Sequence, residues 1–202
     1  MNTTPTLRFL GATGTVTGSK FLLSTQRKNL LIDCGLFQGY KQLRERNWRQ
    51  PPFDPGALDA VILTHAHIDH SGYLPRLANI GFDGPVYATA ATHALCRHLL
   101  PDSGFIHEKD AEFANRHGFS KHRPAKPLYT RQDAEDCLGL FEDVAFHSEF
   151  AIDDDVRITF RRAGHIVGAA SVLFDIGGTR VVFSGDLGHS CSATMPDPEL
   201  LP

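Results

Sequence analysis

The sequence predicts an α/β fold, and three observations support this class. Short apolar segments with β-branched residues, typical of buried strands, occupy the first and the last third of the chain. The middle third is more polar and has the pattern of helices, while glycine-rich turns separate the strands. A chain of 202 residues can bury one sizeable hydrophobic core, so a single domain is expected.

The strands are predicted in two groups that flank the helical middle. The first group comprises residues 6–10, 21–24, 30–33 and 57–63, and the second comprises residues 156–161, 171–175 and 180–183. Gly177 and Gly178 predict a tight hairpin between the last two strands. Helices are predicted over residues 39–50, 73–79 and 92–140, with a capping box at Thr130 that opens the final helix.

Composition excludes several classes of protein. The net charge is −3, so any binding of nucleic acid must come from a local patch. The first residues do not resemble a signal peptide, and no apolar run reaches membrane-spanning length. The four cysteines are scattered without Cys-x-x-Cys pairs, which argues against a disulfide framework or a zinc knuckle. We therefore expect a cytoplasmic protein with no membrane partner.

Two segments are candidates for contact with phosphate groups. The glycine-rich residues 11–18 lack the signatures of a P-loop and of a dinucleotide fingerprint, so they are interpreted as a turn-rich connection that can border a site. Residues 39–50 carry four basic residues around one tryptophan, with a single acid: Lys41, Arg44, Arg46, Arg49, Trp48 and Glu45. A solvated helix face is the simpler interpretation of this charge run, and a phosphate-contacting rim is the alternative.

The most informative feature is a cluster of potential metal ligands. His65, His67, Asp69 and His70 lie within six positions, directly after the predicted strand 57–63. Residues two apart in extended backbone point the same way, so His65 and His67 can bind one ion side by side. Asp69 and His70 lie where the chain should turn into a helix, and they can reach a second ion. Open α/β sheets present ligand sites at this end of their strands.

Further strand ends carry side chains of the same chemistry, namely Asp33, His165 and Asp186. One site would be formed by His65, His67 and His165, with an open position. A second, more oxygen-rich site would be formed by Asp69, His70 and Asp186, with Asp186 able to bridge both ions. A ligand set of imidazoles and carboxylates without a thiolate favours zinc, and manganese or iron remain alternative metals. Two such ions indicate hydrolysis, and Asp33 is favoured as a residue that orients ligand histidines.

These motifs resemble a known family. Residues 64–70 resemble the signature of the metallo-β-lactamase superfamily. Residues 69–75, 163–171 and 184–188 are similar to motifs of its β-CASP branch, which contains RNA-processing nucleases, and residues 31–39 are similar to the first motif of that branch. The resemblance spans nearly the whole chain.

The resemblance implies an αββα sandwich with two metals at one edge and a di-zinc phosphodiesterase that acts on RNA. By the same resemblance one zinc would be held by His65, His67 and His165, and the other by Asp69, His70 and Asp186. Catalytic roles are expected for Asp69 and for Asp33, which would brace the site while a metal-bound hydroxide attacks phosphorus.

In the family, the β-CASP domain and the rest of the sandwich follow the segment that resembles residues 184–188. They carry a further zinc-ligand histidine and a histidine that protonates the leaving group. Residues 1–202 are therefore expected to be the amino-terminal part of the metallo-β-lactamase domain, without those regions.

Two other functions remain open from the sequence. The chain could hydrolyse a small ester, thioester or lactone, as other members of the superfamily do, or it could be a non-catalytic metal-binding fragment. RNA is the expected partner. No sequence feature argues for a homo-oligomer, although none excludes it.

Overall fold

Ten strands in two sheets form the frame of the structure, a computed structural model that describes residues 4–120 and 122–201. The strands are β1 Thr6–Phe9, β2 Phe21–Ser24, β3 Asn29–Ile32, β4 Ala60–Ile62, β5 Val86–Thr89, β6 Phe141–Val144, β7 Glu149–Ala151, β8 Val156–Arg162, β9 Ala170–Ile176 and β10 Thr179–Phe183. The α-helices are α1 Lys41–Arg44, α2 Ile68–Ser71, α3 Leu74–Asn79, α4 Ala90–His117 and α5 Arg131–Cys137. Short 3-10 turns occupy Glu45–Trp48, Pro55–Ala57 and Leu138–Leu140.

The first sheet has the order β1-β2-β3-β4-β5-β6. Strands β1, β2 and β3 are antiparallel, whereas β3, β4, β5 and β6 run parallel to one another. Parallel strands end at the same edge of a sheet. Ile32 pairs with Ile62, so the segments that follow β3 and β4 leave the sheet side by side. This edge therefore receives the side chains of Asp33 and of the histidine cluster.

The second sheet is antiparallel, with the order β10-β9-β8-β7. The turn between β9 and β10 is the predicted glycine hairpin, in which Gly177 and Gly178 have φ values of 55° and 86°. Positive φ at both central residues matches the right-handed twist of the flanking strands. The carboxyl-terminal ends of β8 and β10 lead into the segments that carry His165 and Asp186.

Two hydrophobic cores separate the layers. Successive side chains of β3 point to opposite faces of the sheet. Leu31 lies in the core beneath the helices, with Leu77 and Leu100. Leu30 lies in the core between the two sheets, with Phe160 and Phe174. Helices therefore cover one face of the first sheet, and the second sheet covers the other face. Within the described ranges none of the α-helices packs on the outer face of the second sheet. The described residues thus form three layers of the expected αββα sandwich.

The predicted strands are present, but three others were missed. Strand β5 runs directly into α4 with Thr89 as the helix cap, so no turn signal separates the two elements. Strands β6 and β7 lie at sheet edges and have exposed polar residues, which removes the apolar pattern that the prediction depends on.

The predicted helical regions are shorter than expected. Helix α4 ends at Gly118, whose left-handed φ of 65° caps it. In the described part of residues 92–140 the helical elements are α4, α5 and one 3-10 turn, and the described residues between α4 and α5 are not helical. The predicted capping box at Thr130 is present, because Thr130 and Asp133 bond reciprocally. Residues 39–50 form only the four-residue α1 and the turn Glu45–Trp48.

Candidate metal centre

Four strand ends bring the candidate ligands together. His65 and His67 lie in the extended segment between β4 and α2, and α2 itself carries Asp69 and His70. His165 lies in the loop between β8 and β9. Asp186 follows β10, and Asp33 follows β3. The side chains that the sequence singled out therefore meet at one edge of the two sheets.

The first group consists of three imidazoles and one carboxylate. His67 Nδ1 lies 3.0 Å from His65 Nε2 and 3.2 Å from His165 Nε2. Asp186 Oδ2 lies 3.8 Å from His65 Nε2 and 3.5 Å from His165 Nε2. All four ligand atoms lie within 4.8 Å of one another. Ligands bound at 2.0–2.2 Å to one tetrahedral ion are about 3.4 Å apart, so this group fits a metal such as zinc.

A second group forms around His70, next to the first. His70 Nε2 lies 3.4 Å from Asp186 Oδ1 and 4.0 Å from Asp69 Oδ2. The two carboxylate oxygens of Asp186 therefore face different imidazoles, with Oδ2 toward His65 and His165 and Oδ1 toward His70. A carboxylate in this position can bridge two ions.

Asp33 is buried behind His70, with 1% of its surface exposed. His70 Nδ1–H donates to Asp33 Oδ2 at 2.7 Å, and Ser19 Oγ donates to the same oxygen at 3.1 Å. The Thr64 backbone N–H donates to Asp33 Oδ1 at 2.9 Å. Asp33 has a φ of 56°, a left-handed conformation that aspartate tolerates better than most residues. The carboxylate fixes the His70 tautomer, which leaves the Nε2 lone pair facing Asp186 and Asp69.

The sequence did not point to Thr64 and Ser19, which complete this network. Thr64 Oγ1 donates to Asp33 Oδ1 at 2.9 Å and lies 3.0 Å from His65 Nδ1. His65 therefore donates from Nδ1 to this hydroxyl and directs Nε2 into the first group. The adjacency of Thr64 to His65 was the one available signal. For Ser19, at the end of a glycine-rich loop, the sequence contained no signal.

Burial and mutual proximity set the protonation of the imidazoles. Burial, with the neighbouring His70, His67 and His165 rings, lowers the pKa of His65 to about 2. Burial and His165 also lower the pKa of His67. For His70 burial acts in the same direction, but the hydrogen bond and charge of Asp33 outweigh it, and the pKa is raised. His65 and His67 are thus neutral at physiological pH, as metal ligands must be.

The glycines beside His165 have a packing role. Gly164 and Gly168 have positive φ values of 67° and 83°. A Cβ on Gly164 would lie 2.6 Å from the Pro196 carbonyl oxygen, and one on Gly168 would lie 2.5 Å from the Thr92 nitrogen. The glycines therefore allow the loop to pack against its protein neighbours, which holds His165 in place.

A cleft extends from the metal centre along the edges of both sheets. Its lining includes His70 and Asp186 of the centre, Phe9 of β1 and Val182 of β10. Residues 12, 16 and 19 form part of its wall, so the glycine-rich loop borders the site as expected. The remaining histidines are not part of this centre in the described ranges. His93, for example, bonds Asp143, and His147 lies beside Arg162 and Glu199.

Solved structures share the fold. A variant of a metallo-β-lactamase from Cronobacter sakazakii superimposes with a TM-score of 0.53 at 18% sequence identity, covering 96% of this chain and 66% of that one. At this identity the likeness concerns the fold alone. None of the helices in the described ranges combines the length and the apolar character that a bilayer crossing requires.

Curated relatives are more similar in sequence. Ribonuclease TTHA0252 of Thermus thermophilus is 37% identical over 95% of this chain, and Integrator complex subunit 11 of Danio rerio is 33% identical over 88%. The chain spans 40% and 28% of the lengths of these two proteins. The resemblance to the β-CASP branch is confirmed by such relatives. The sequence-family model described as the metallo-beta-lactamase superfamily matches residues 14–201, and the chain therefore belongs to this superfamily.

Proposed function

We propose that the chain hydrolyses RNA phosphodiester bonds at a dinuclear zinc centre. The observation that carries the proposal is the arrangement of Asp186, whose two oxygens face two separate imidazole groups. One ion would be held by His65, His67 and His165, and the other by His70 and Asp69, with Asp186 shared. Zinc ions in such a site supply positive charge at the reacting phosphate and lower the pKa of water.

The protein's own residues prepare this centre. Asp33 is a positioning residue, because its carboxylate contacts His70 and has almost no exposure to the cleft. Thr64 positions His65 through its hydroxyl. Asp69 is the candidate catalytic carboxylate, since its side chain is 22% exposed and Oδ2 faces His70 across 4.0 Å. It can accept a proton from a water molecule at this oxygen while it helps to hold the second ion.

RNA is proposed as the substrate because of the relatives. The relative with 37% identity is named a ribonuclease, and the matched region includes every proposed ligand. The solved metallo-β-lactamases are less similar and indicate only the fold. A cytoplasmic location is retained as part of this proposal.

The proposal is tested with the zinc-loaded chain and a 5′-labelled RNA oligonucleotide. We expect cleavage that is abolished by a chelator and reduced at least 100-fold in His67→Ala, because the first group loses a ligand. His117→Ala is the matched control, since His117 is exposed and its ring bonds the Phe113 carbonyl outside the centre. A chain that hydrolyses thioesters or lactones and leaves RNA intact would contradict the proposal and favour the small-substrate alternative.

A further inference from the structure

A basic and aromatic surface lies beside the metal centre, on α1 and the turn Glu45–Trp48. We call it the basic segment, and it comprises Tyr40, Lys41, Arg44, Arg46, Trp48 and Arg49. One acid, Glu45, lies among its four cations, whereas the whole chain has a net charge of −3. The Arg8 guanidinium, which donates to the Pro52 carbonyl at 3.2 Å, adds a further cation nearby. The basic segment is therefore a local positive patch on an acidic protein.

The cations of this segment have no acidic partners among the described residues. All four are exposed. Several exposed cations elsewhere are paired, for example Arg131 with Glu135 at 2.9 Å, Arg157 with Glu149 at 3.1 Å and Lys109 with Glu112 at 2.8 Å. A row of unpaired cations leaves its positive potential available to an anionic partner.

Two large aromatic side chains in the basic segment also face solvent. Tyr40 is 84% exposed and Trp48 is 54% exposed. Neither ring stacks on another aromatic residue within the described ranges. Exposed aromatic rings among unpaired cations are the combination that binds single-stranded nucleic acid, because bases stack on the rings while cations contact phosphates. A duplex hides the faces of its bases and could use only the cations.

The basic segment is held rigidly close to the metal centre. Asn47 is buried and exchanges two hydrogen bonds with the backbone of Phe37, at 2.9 and 2.8 Å. The Arg46 guanidinium lies 5.3 Å above the Phe37 ring. One residue earlier, the Leu36 N–H donates to the carbonyl of Ile68 at 2.9 Å, next to Asp69. A strand of RNA at the metal centre would therefore pass within reach of this surface.

We propose that the basic segment binds single-stranded RNA next to the cleavage site, an inference that rests on the proposed function for its substrate. Lys41, Arg44 and Arg49 contact phosphates, and Trp48 and Tyr40 stack on unpaired bases. Arg46 packs on Phe37 and holds the segment in place. The surface thus orients the strand without taking part in the chemistry.

The test measures binding of a fluorescein-labelled U20 oligoribonucleotide by anisotropy, in a chelator so that no metal-dependent cleavage takes place. The test variant is Lys41→Gln/Arg44→Gln/Arg49→Gln. Its control, Lys109→Gln/Arg131→Gln/Arg157→Gln, makes the same charge change at ion-paired positions. We expect the test variant to bind on the order of 100-fold more weakly at 0.1 M salt, with a salt slope lower by about 2. The control should bind like the wild type.

The aromatic part is tested separately. Trp48→Ala should weaken U20 binding about fivefold or more, whereas Phe105→Ala, at a 44% exposed ring on α4, should have no effect. A duplex RNA of equal length should not respond to Trp48→Ala. Three results would each overturn the inference. The first is an equal loss of U20 affinity in the triple test variant and its control, and the second is an equal loss of affinity for duplex and single-stranded RNA in Trp48→Ala. The third is no binding of U20 by the wild type. Hydrolysis of bis(4-nitrophenyl) phosphate by the zinc-loaded chain is measured in parallel, so that failure of the basic segment is distinguished from failure of the proposed chemistry.

Discussion

Asp33→Asn is expected to disable the second metal group by changing the tautomer of His70. Asp33 Oδ1 accepts from two Thr64 donors, so the amide oxygen of asparagine must take that position. The amide NH₂ then faces His70 Nδ1, which at present donates to Oδ2 over 2.7 Å. His70 can satisfy this NH₂ only by accepting at Nδ1, which moves its proton to Nε2. The lone pair that faces Asp186 is thereby lost.

The expected effects follow from these contacts. Loss of an orienting partner lowers metal affinity by about 10–100-fold, and we expect this loss in the weaker of two zinc-binding steps measured by isothermal titration calorimetry. Breaking the buried charged hydrogen bonds should cost roughly 2–4 kcal/mol in the free energy of unfolding. Long-range ¹H–¹⁵N correlation spectra should show His70 protonated on Nε2 in the variant and on Nδ1 in the wild type.

Asp143→Asn is the matched control, because Asp143 accepts from His93 Nδ1 at 2.8 Å in the same kind of pair. Asp143 is 53% exposed and its ion pair is with His93, which is not a candidate ligand, so we expect a change in stability below about 1 kcal/mol and unchanged zinc binding. Zinc affinity in Asp33→Asn equal to that of the wild type, with His70 still protonated on Nδ1, would refute the proposed role of Asp33.

Two further substitutions test the region next to the centre. Lys20 donates to the Gly35 carbonyl and lies over two aromatic rings, and burial lowers its pKa from 10.5 to about 8. The folded state therefore binds fewer protons than the unfolded state between these values, so this group makes the wild type more stable as pH rises through that window. In urea unfolding, the free energy of unfolding of the wild type should gain about 3 kcal/mol from this group between pH 7.5 and pH 10.5, and Lys20→Met should lack that gain. If the wild type and Lys20→Met changed equally between the two pH values, the lowered pKa of Lys20 would be contradicted. Gly35→Ala places a Cβ 1.5 Å from the Asp69 carbonyl oxygen and should cost about 3 kcal/mol or more and weaken zinc binding. The control is Gly139→Ala, where the added Cβ meets no neighbouring atom within 4 Å, and its free energy of unfolding should stay within about 0.5 kcal/mol of the wild type. Equal losses of stability in Gly35→Ala and Gly139→Ala would show that the contact with Asp69 is unimportant.

The sequence predicted the buried parts of the fold better than its edges. Strands β3 and β4 are buried on both faces and read as continuous apolar runs. Strand β6 has Glu142 and Asp143 exposed at a sheet edge, so its sequence has no strand pattern. The end of α4 at Gly118 was missed because the polar residues that follow do not contrast with its own polar surface.

For the candidate site, residue type and strand position were enough to name the candidate ligands that the structure brings together. Histidines at spacing two and acids at strand ends have few other uses in such a pattern. The sequence could not show that the two oxygens of Asp186 face different imidazoles, because that depends on how the two sheets pack. It also could not show that Ser19 reaches Asp33, since the contact depends on the path of the glycine-rich loop. The sequence also could not show that the cations of the basic segment lack acidic partners in the described ranges, because that depends on which side chains the fold places beside them.

Anomalous diffraction at the zinc edge from crystals of the zinc-loaded chain tests the central claim most directly. We expect two peaks about 3.5–4 Å apart, with the carboxylate of Asp186 between them. One peak should lie among His65, His67 and His165, and the other beside His70 and Asp69. A single peak, or two peaks of which neither contacts Asp186, would contradict a dinuclear centre built from these residues.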